Sequence, residues 1–176
     1  MRNAVWVPVL IWLACGGALP DLSPPPDSSP QGDAIQAFAR FRAMAGDWEG
    51  RSTKGWTERV HMQVLARGSA VLETSFEAHP GEAMATLFAL DGGALELRHY
   101  CVAGNQPHLR ATEFAEGGRR VTFTFVDAGN LASRDQGHMD KATFLFEDEN
   151  HVTTRWTWSQ DSREQWLEEI RLTRQR

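Results

Sequence analysis

Four side chains capable of chemistry flank one turn near the middle of the sequence. They are His99, Cys101, His108 and Arg110, within the segment HYCVAGNQPHLRA. Side chains alternate between the two faces of a β-strand, so the strand before the turn places His99 and Cys101 on one face. A turn centred on residues 104–105 or on residues 105–106 would bring His108 and Arg110 to that same face. The sequence therefore predicts a cluster of two imidazoles, a thiol and a guanidinium.

The chemistry of this cluster depends on what its face meets. In a cavity, Arg110 and the two histidines would anchor a carboxylate or phosphate, because the guanidinium fork matches such groups. This favours an amphiphilic ligand with an acidic head. Alternatively, a histidine activates Cys101 as a nucleophile, although the sequence shows neither a helix N-terminus nor a third orienting residue that would lower the thiol pKa. A third interpretation is a packed core, in which the cysteine is a small buried hydrophobe.

Two residues near the end of the chain are further candidates for ligand binding. Trp156 shares a strand face with Trp158, which is typical of a core but also suits sugars and flat ligands. Glu168 shares a face with Ile170, so its carboxylate lies either inside the fold or at a solvated rim. An interior carboxylate needs a cationic or hydrogen-bonding partner, and Arg110 is the partner that we expect.

The remaining chemistry of the chain excludes several kinds of site. The sequence has no His-x-His or Cys-x-x-Cys pair, so we expect no metal and no cofactor. Its net charge is −5 and it has no basic stripe, which argues against a nucleic-acid partner. The partner that we expect is a small molecule, bound by the polar groups of the hairpin cluster.

Hydrophobic alternation with period two places the candidate residues on short strands. We expect about ten of them, near 46–54, 56–66, 69–78, 83–91, 94–103, 108–115, 119–127, 140–147, 151–159 and 164–174. Sequential strands with tight turns favour an all-β fold. We expect an antiparallel up-and-down β-barrel of about 8–10 strands, because closure into a barrel removes the two exposed edges of an open sheet. A β-sandwich is the alternative.

One short amphipathic helix is predicted before the first strand. Asp33 is the expected N-cap, and Ile35, Phe38 and Phe41 recur at helical spacing. Gly46 is the expected stop signal.

The residues that follow this helix carry a family resemblance. Gly46, Asp47 and Trp48 resemble the Gly-x-Trp signature of the lipocalin and calycin barrels, and MAGDWEG is similar to the opening of bacterial lipocalin-like domains of unassigned function. The resemblance implies that Trp48 closes one barrel end and stacks against a basic residue of the last strand, either Arg171 or Arg174. The sequence lacks the disulfide pair of true lipocalins, and it predicts nearer ten strands than eight. These two departures make the fatty-acid-binding or nitrobindin-like branch of the calycins a second resemblance to consider. No haem-ligand motif transfers from that branch.

The N-terminal segment is predicted to be an export signal. Residues 1–18 combine a basic residue, a short apolar run and small residues before a cleavage site after Ala18. The alternative is a lipoprotein signal that ends at Ala14 and leaves Cys15 as the lipidated first residue. Residues 19–33 form a Pro- and Ser-rich linker, and the barrel domain occupies residues 34–176. We expect a periplasmic or secreted protein, attached to a membrane only if Cys15 is lipidated.

These observations predict an exported, non-catalytic binding protein for a small, partly apolar and acidic ligand. The first alternative is a barrel enzyme that uses His99, Cys101 and His108 for acid-base or thiol chemistry. The second alternative is a filled barrel that acts as an envelope-associated interaction module.

Overall fold

Ten antiparallel strands close into a barrel with one helix at its N-terminal side. The computed structural model of the protein describes residues 30–76 and 82–176. In chain order, the helices and strands are α1 (Pro30–Ala43), β1 (Gly46–Ser52), β2 (Thr57–Leu65), β3 (Ala70–Phe76), β4 (Met84–Asp91), β5 (Ala94–Tyr100), β6 (Gln106–Ala115), β7 (Arg120–Gly129), β8 (His138–Phe146), β9 (His151–Gln160) and β10 (Arg163–Arg174), with a single 3-10 turn at Ala66–Gly68. The predicted all-β barrel is therefore confirmed, and the sandwich alternative is wrong.

Every strand pairs with its neighbours in the chain, and β1 pairs with β10 to close the barrel. Closure satisfies the backbone groups that an open sheet would expose at its edges. The β1–β10 contact is close at Gly50, where an added Cβ would lie 2.4 Å from the carbonyl oxygen of Arg171. Glycine at this position therefore allows the two closing strands to approach each other.

The barrel has two unlike ends. At one end, which we call the helix end, α1 packs against β4, β5 and β6. The opposite loop end carries the connections at 53–56, 101–105 and 130–137. In the described part of the chain, no helix is both long and apolar enough to cross a membrane. The predicted signal segment 1–18, Cys15 and residues 19–29 of the linker lie outside the described residues.

The helix differs from its prediction in start and orientation. It begins at Pro30, so it takes in the last residues that we assigned to the linker, and Asp33 lies in its first turn instead of capping it. Proline suits this position because its missing N–H has no partner in a first turn. The buried face contains Phe38 and Phe41, as predicted, but Ile35 is 51% exposed. Ala34 and Ala37 are also buried on this face.

Aromatic rings fill the helix end of the barrel. We call this set the aromatic plug, and its members are Phe41, Phe88, Phe123, Phe144 and Phe146. The Phe41 ring stacks on Phe88 with centroids 4.3 Å apart and meets the edges of Phe144 and Phe146 at 5.0 and 5.1 Å. These are favourable aromatic geometries that add to the free energy of burial. Phe41 thus packs the helix onto the aromatic rings inside the barrel.

A tryptophan and an arginine close the helix end. Trp48 is 1% exposed, and its Nε1–H donates to the carbonyl of Met44 at 2.7 Å. The guanidinium of Arg174 lies over the Trp48 ring, 4.3 Å from its centroid. It also donates to the carbonyls of Ala43 and Ala45 at 2.8 Å each. One side chain from the last strand therefore binds both the first strand and the C-terminal end of the helix.

The other residues of this predicted barrel end have simpler positions. Gly46 has φ of +120°, which glycine adopts without strain, and it leads directly into β1. Arg171 lies outside the barrel, where its guanidinium pairs with Glu169 at 3.0 Å. Of the two arginines that we considered for Trp48, the structure therefore places Arg174 against the ring.

Candidate functional site

The loop-end half of the barrel interior is polar. Three carboxylates are buried there, those of Glu58, Glu73 and Glu168, and each residue is at most 7% exposed. Together with His99, they line a cavity of about 40 Å³ that we call the polar chamber. Trp156 forms part of its apolar wall. The volume is room for about three water molecules.

Alternation along the strands brings these carboxylates inside. On β2, Glu58 precedes Val60 on the inward face, and on β3, Glu73 follows Val71. The inward rows therefore run from apolar residues at the helix end to acidic residues at the loop end. The sequence analysis missed Glu58 and Glu73, although their period-two spacing from buried valines was the signal that could have found them.

Three neighbouring strands bring a carboxylate, a hydroxyl and an imidazole into one row. Glu73 pairs with Thr86 across β3 and β4, and Thr86 pairs with His99 across β4 and β5. The Thr86 hydroxyl lies 2.9 Å from Nδ1 of His99 and 3.5 Å from Oε1 of Glu73. This Glu73–Thr86–His99 row forms one wall of the chamber.

Burial shifts the pKa of both ends of the row. Desolvation raises the pKa of the Glu73 carboxyl to about 7, against the opposing effect of the Thr86 hydrogen bond. Desolvation also lowers the pKa of His99 to about 4, so its imidazole is neutral near pH 7. Among the described residues, Nε2 of His99 has no hydrogen-bond partner. A buried, neutral imidazole therefore faces the chamber with one nitrogen unsatisfied.

Glu168 and Trp156 both line the polar chamber. Glu168 accepts a hydrogen bond from the Ser52 hydroxyl, so its predicted pairing with Arg110 is wrong. Trp156 is 7% exposed. Its ring lies 5.1 Å from that of His99 and 5.8 Å from that of Phe144, between centroids. The indole therefore separates the polar chamber from the aromatic plug.

The predicted register of the β5–β6 hairpin is wrong. Leu97 pairs with Leu109 and Arg98 pairs with His108, while the Cys101 N–H donates to the Asn105 carbonyl at 3.2 Å. The turn is therefore centred on residue 103, and this reverses the face on which every residue of β6 lies. His108 and Arg110 consequently lie on the outer face of the barrel, opposite to His99.

On that outer face, His108 and Arg110 bind a carboxylate of their own. Nε2 of His108 lies 2.8 Å from Glu96, and Nε of Arg110 donates to the same carboxylate at 2.7 Å. Burial opposes ionisation of Glu96, but the hydrogen bonds and charges of Arg110 and His108 outweigh it and lower the pKa. These side chains form an external ion-pair cluster with no access to the chamber.

Cys101 lies beyond the end of β5, which stops at Tyr100 and not at 103 as predicted. Burial raises the pKa of its thiol, against a hydrogen bond from the backbone of Ala103. A raised thiol pKa disfavours the thiolate that a nucleophilic cysteine needs. The set His99, Cys101 and His108, on which the enzyme alternative depends, is not brought together.

Other possible sites on the described residues are weaker. Within 30–76 and 82–176, no group of three or more His, Cys, Asp or Glu side chains is arranged to hold a metal ion. A groove of about 570 Å³ lies at the helix end beside Trp48 and Arg174, but the guanidinium of Arg174 is held by backbone carbonyls. The polar chamber is the better candidate because it is enclosed by the barrel and contains buried polar atoms.

Comparison with known proteins supports the fold and goes no further. No protein-family model matches the chain, and no curated protein sequence matches it. A crystal structure of a protein of unknown function from the DUF3598 family of Nostoc punctiforme is similar, with a TM-score of 0.51 and 9% sequence identity. The match covers 77% of this chain and 49% of that one, so the chain spans about half the length of the Nostoc protein.

Proposed function

We propose that this protein is an exported, lipocalin-like barrel that binds a small, partly apolar molecule in its polar chamber and catalyses no reaction. The observation that carries the proposal is the unsatisfied Nε2 of His99 beside a cavity inside the barrel. Nearly all buried polar groups in folded proteins have a hydrogen-bond partner. A bound molecule would supply that partner.

The walls of the chamber support a ligand with both polar and apolar parts. Met84, Met139 and Trp156 contribute thioether and indole surface, while Glu73 and His99 contribute hydrogen-bonding groups. Ligand sites commonly combine an apolar lining with a few convergent polar groups. The volume admits only the head of such a molecule, so its tail would extend towards the loop end.

The structure removes the reason for expecting a ligand with an acidic head. That expectation depended on His108 and Arg110 as interior anchors, and both lie on the outer face. The ionisable groups that line the chamber are three carboxyl groups and the imidazole of His99. The proposed ligand is therefore not an anion.

Two features support the lipocalin-like part of the proposal. The short helix before β1 and the contact of Trp48 with Arg174 correspond to the features that the Gly-x-Trp resemblance implied. Export rests on residues 1–18, with lipidation at Cys15 as the alternative. Mass spectrometry of the processed protein tests both: a mass that begins after Ala18 indicates cleavage, whereas an acylated Cys15 indicates anchoring.

Methionine methyl groups offer a direct test of ligand binding, because they report on both halves of the barrel. Met84 and Met139 line the chamber, whereas Met44 and Met62 are buried at the helix end. We would titrate 13C-methyl-methionine protein with n-butylammonium, 1-butanol and butyrate. Saturable shifts at Met84 and Met139, with Met44 unchanged, are expected for at least one of the three probes.

The variant His99→Phe would fill the chamber and should abolish these shifts. Its matched control is His61→Phe, because the His61 side chain is half exposed on the outside of β2. If His99→Phe does not fold, Thr86→Val removes the Nδ1 partner without adding volume, and it should weaken binding. The proposal fails if no probe shifts Met84 or Met139, or if His99→Phe binds as well as the wild-type chain.

A further inference from the structure

We infer that the polar chamber selects the head group of a primary organic ammonium, held between the carboxylate of Glu73 and Nε2 of His99. This inference rests on the proposed function, because it names the chemical class of the ligand that the chamber would bind. Two independent observations carry it. One is the set of buried carboxyl groups that line the chamber, and the other is the unpartnered Nε2 of His99 among the described residues.

Among the described residues, the barrel buries carboxyl groups but no guanidinium or ammonium group. Among residues 30–76 and 82–176, the acidic side chains of Glu58, Glu73 and Glu168 are buried, and every Arg and Lys is at least partly exposed. All three carboxylates line the chamber. A low-dielectric cavity with acidic walls attracts a cation and repels an anion. Butyrate-like ligands are therefore disfavoured by the same field that favours an ammonium.

The Glu73–Thr86–His99 row has one hydrogen-bonding arrangement that leaves both of its ends as acceptors. The Thr86 hydroxyl has one proton, which only one end of the row can accept. When it donates to Glu73, the direction in which this bond lowers the Glu73 pKa, its oxygen accepts from Nδ1–H of His99. A neutral imidazole with Nδ1 protonated has a bare Nε2, which is an acceptor. The chamber thus presents two acceptors, the Glu73 carboxylate and His99 Nε2. An ammonium offers three donors, whereas an alcohol offers one.

Both acceptors are buried, and each would gain from a cation. His99 is 4% exposed and its Nε2 has no partner among the described residues. Desolvation raises the pKa of Glu73 to about 7, and an ammonium beside the carboxylate would offset this by stabilising its charged form. The charge-assisted bond that results is stronger than a bond between neutral groups.

The size and walls of the chamber restrict the head to a compact group. A volume of about 40 Å³ admits an ammonium and the first carbons attached to it. Trp156 and the two thioethers of Met84 and Met139 then provide soft apolar contacts for the alkyl chain. A cation of this kind also benefits from the negative face of the indole ring.

Three probes of equal chain length separate charge from size. In the 13C-methyl-methionine titration, n-butylammonium should shift Met84 and Met139 at lower concentration than 1-butanol, and butyrate should not bind. Substituting Glu73→Gln keeps the shape of the side chain and removes its charge. It should weaken n-butylammonium binding by about 10-fold to 100-fold, as expected for a charged hydrogen bond, while the affinity for 1-butanol changes little. Glu113→Gln on the outer surface is the matched control and should leave both affinities unchanged.

The outcomes distinguish this inference from the proposed function. If 1-butanol or butyrate binds at least as tightly as n-butylammonium, the chamber binds ligands but does not select an ammonium, and the inference fails alone. The inference also fails alone if Glu73→Gln binds n-butylammonium unchanged. If no probe shifts Met84 or Met139, both fail. The comparison of probes on the unmodified chain decides the matter even if Glu73→Gln is too unstable to purify.

Discussion

The two halves of this barrel are built from the same ten strands and the same alternation, yet their interiors differ in kind. At the helix end, Phe41, Phe88, Phe123 and Phe144 are 0% exposed and pack ring against ring. At the loop end, the same inward rows continue into carboxylates, an imidazole and a cavity. The alternation along each strand sets which side chains point inward, whereas the position along the strand decides whether they pack into the aromatic plug or line the polar chamber.

The buried carboxyl and imidazole of the chamber weaken the fold, each in its own pH range. A raised carboxyl pKa means that the folded state holds its proton more tightly than the unfolded state, so Glu73 destabilises the protein as pH rises from about 4.5 to about 7. The lowered pKa of His99 has the opposite sign, because the unfolded state binds its proton more tightly as pH falls from 6.5 to about 4. The plug has no such titrating group, so its contribution should not depend on pH.

The largest effect should come from the plug. Replacing Phe41→Ala removes the ring that joins the helix to the barrel and leaves a cavity, so we expect the free energy of unfolding to fall by about 3–5 kcal/mol. Ile35→Ala on the same helix is the control, because the exposed Ile35 side chain should change stability by about 0.5 kcal/mol or less. Urea denaturation measures both. Equal losses in the two variants would contradict the assignment of the plug as the stabilising half.

The pH dependence of stability should be the next largest effect. Raising the pKa of Glu73 from 4.5 to about 7 corresponds to about 3 kcal/mol of destabilisation above pH 7, so Glu73→Gln should be more stable than wild type at pH 8. Between pH 4.5 and 6.5 the contributions of Glu73 and His99 oppose each other. As pH falls through this window, Glu73→Gln should lose stability relative to wild type, and His99→Gln should gain it. Urea denaturation at several pH values measures how the stability of each variant, relative to wild type, changes with pH. A change of the same sign in both variants would disprove this account.

The contact that closes the helix end should give a smaller effect. In Arg174→Met, the alkyl chain still covers Trp48, but the hydrogen bonds to Ala43 and Ala45 are lost together with the cation–π contact. We expect a loss of about 1–2 kcal/mol, measured as a shift of the urea midpoint. Arg171→Met is the matched control, since its guanidinium is exposed on the outer surface. If the two variants lose the same stability, Arg174 does not connect the last strand to the helix.

The sequence predicted the barrel because strands and turns are local features. Period-two alternation and recurrent turn residues need no knowledge of distant partners, and the strand bounds agree closely. The side on which β6 faces was not predictable in the same way. It depends on the number of residues in the turn, and the bond from Cys101 N–H to the Asn105 carbonyl sets that number. A change of one residue moves Arg110 from the interior to the outer surface.

The candidate site was predictable in part for a different reason. The parity of His99 along its strand, which is local, predicted an inward position. Trp156 was a candidate because it shares a face with Trp158, and Glu168 was left between the interior and a solvated rim. All three line the chamber. Glu73 has the same parity signal, but a glutamate is rarely fully buried unless it is paired. Its burial depends on how β3 is aligned with β4 and β5, which places Glu73 beside Thr86 and His99. The register between two strands cannot be predicted from the sequence of either strand alone.

The smallest effect should come from a substitution on the outer face of the barrel. This substitution tests whether the outer face acts independently of the chamber. Arg110→Met removes a guanidinium whose side chain is half exposed and pairs with Glu96 at 2.6 Å. We expect a loss of about 1 kcal/mol or less, and less at high salt because screening weakens exposed ion pairs. The Met84 and Met139 methyl spectra and their response to n-butylammonium should be unchanged, whereas Thr86→Val should alter both. If Arg110→Met instead changes binding in the chamber, then Arg110 reaches the interior and the observed register of the hairpin cannot hold in solution.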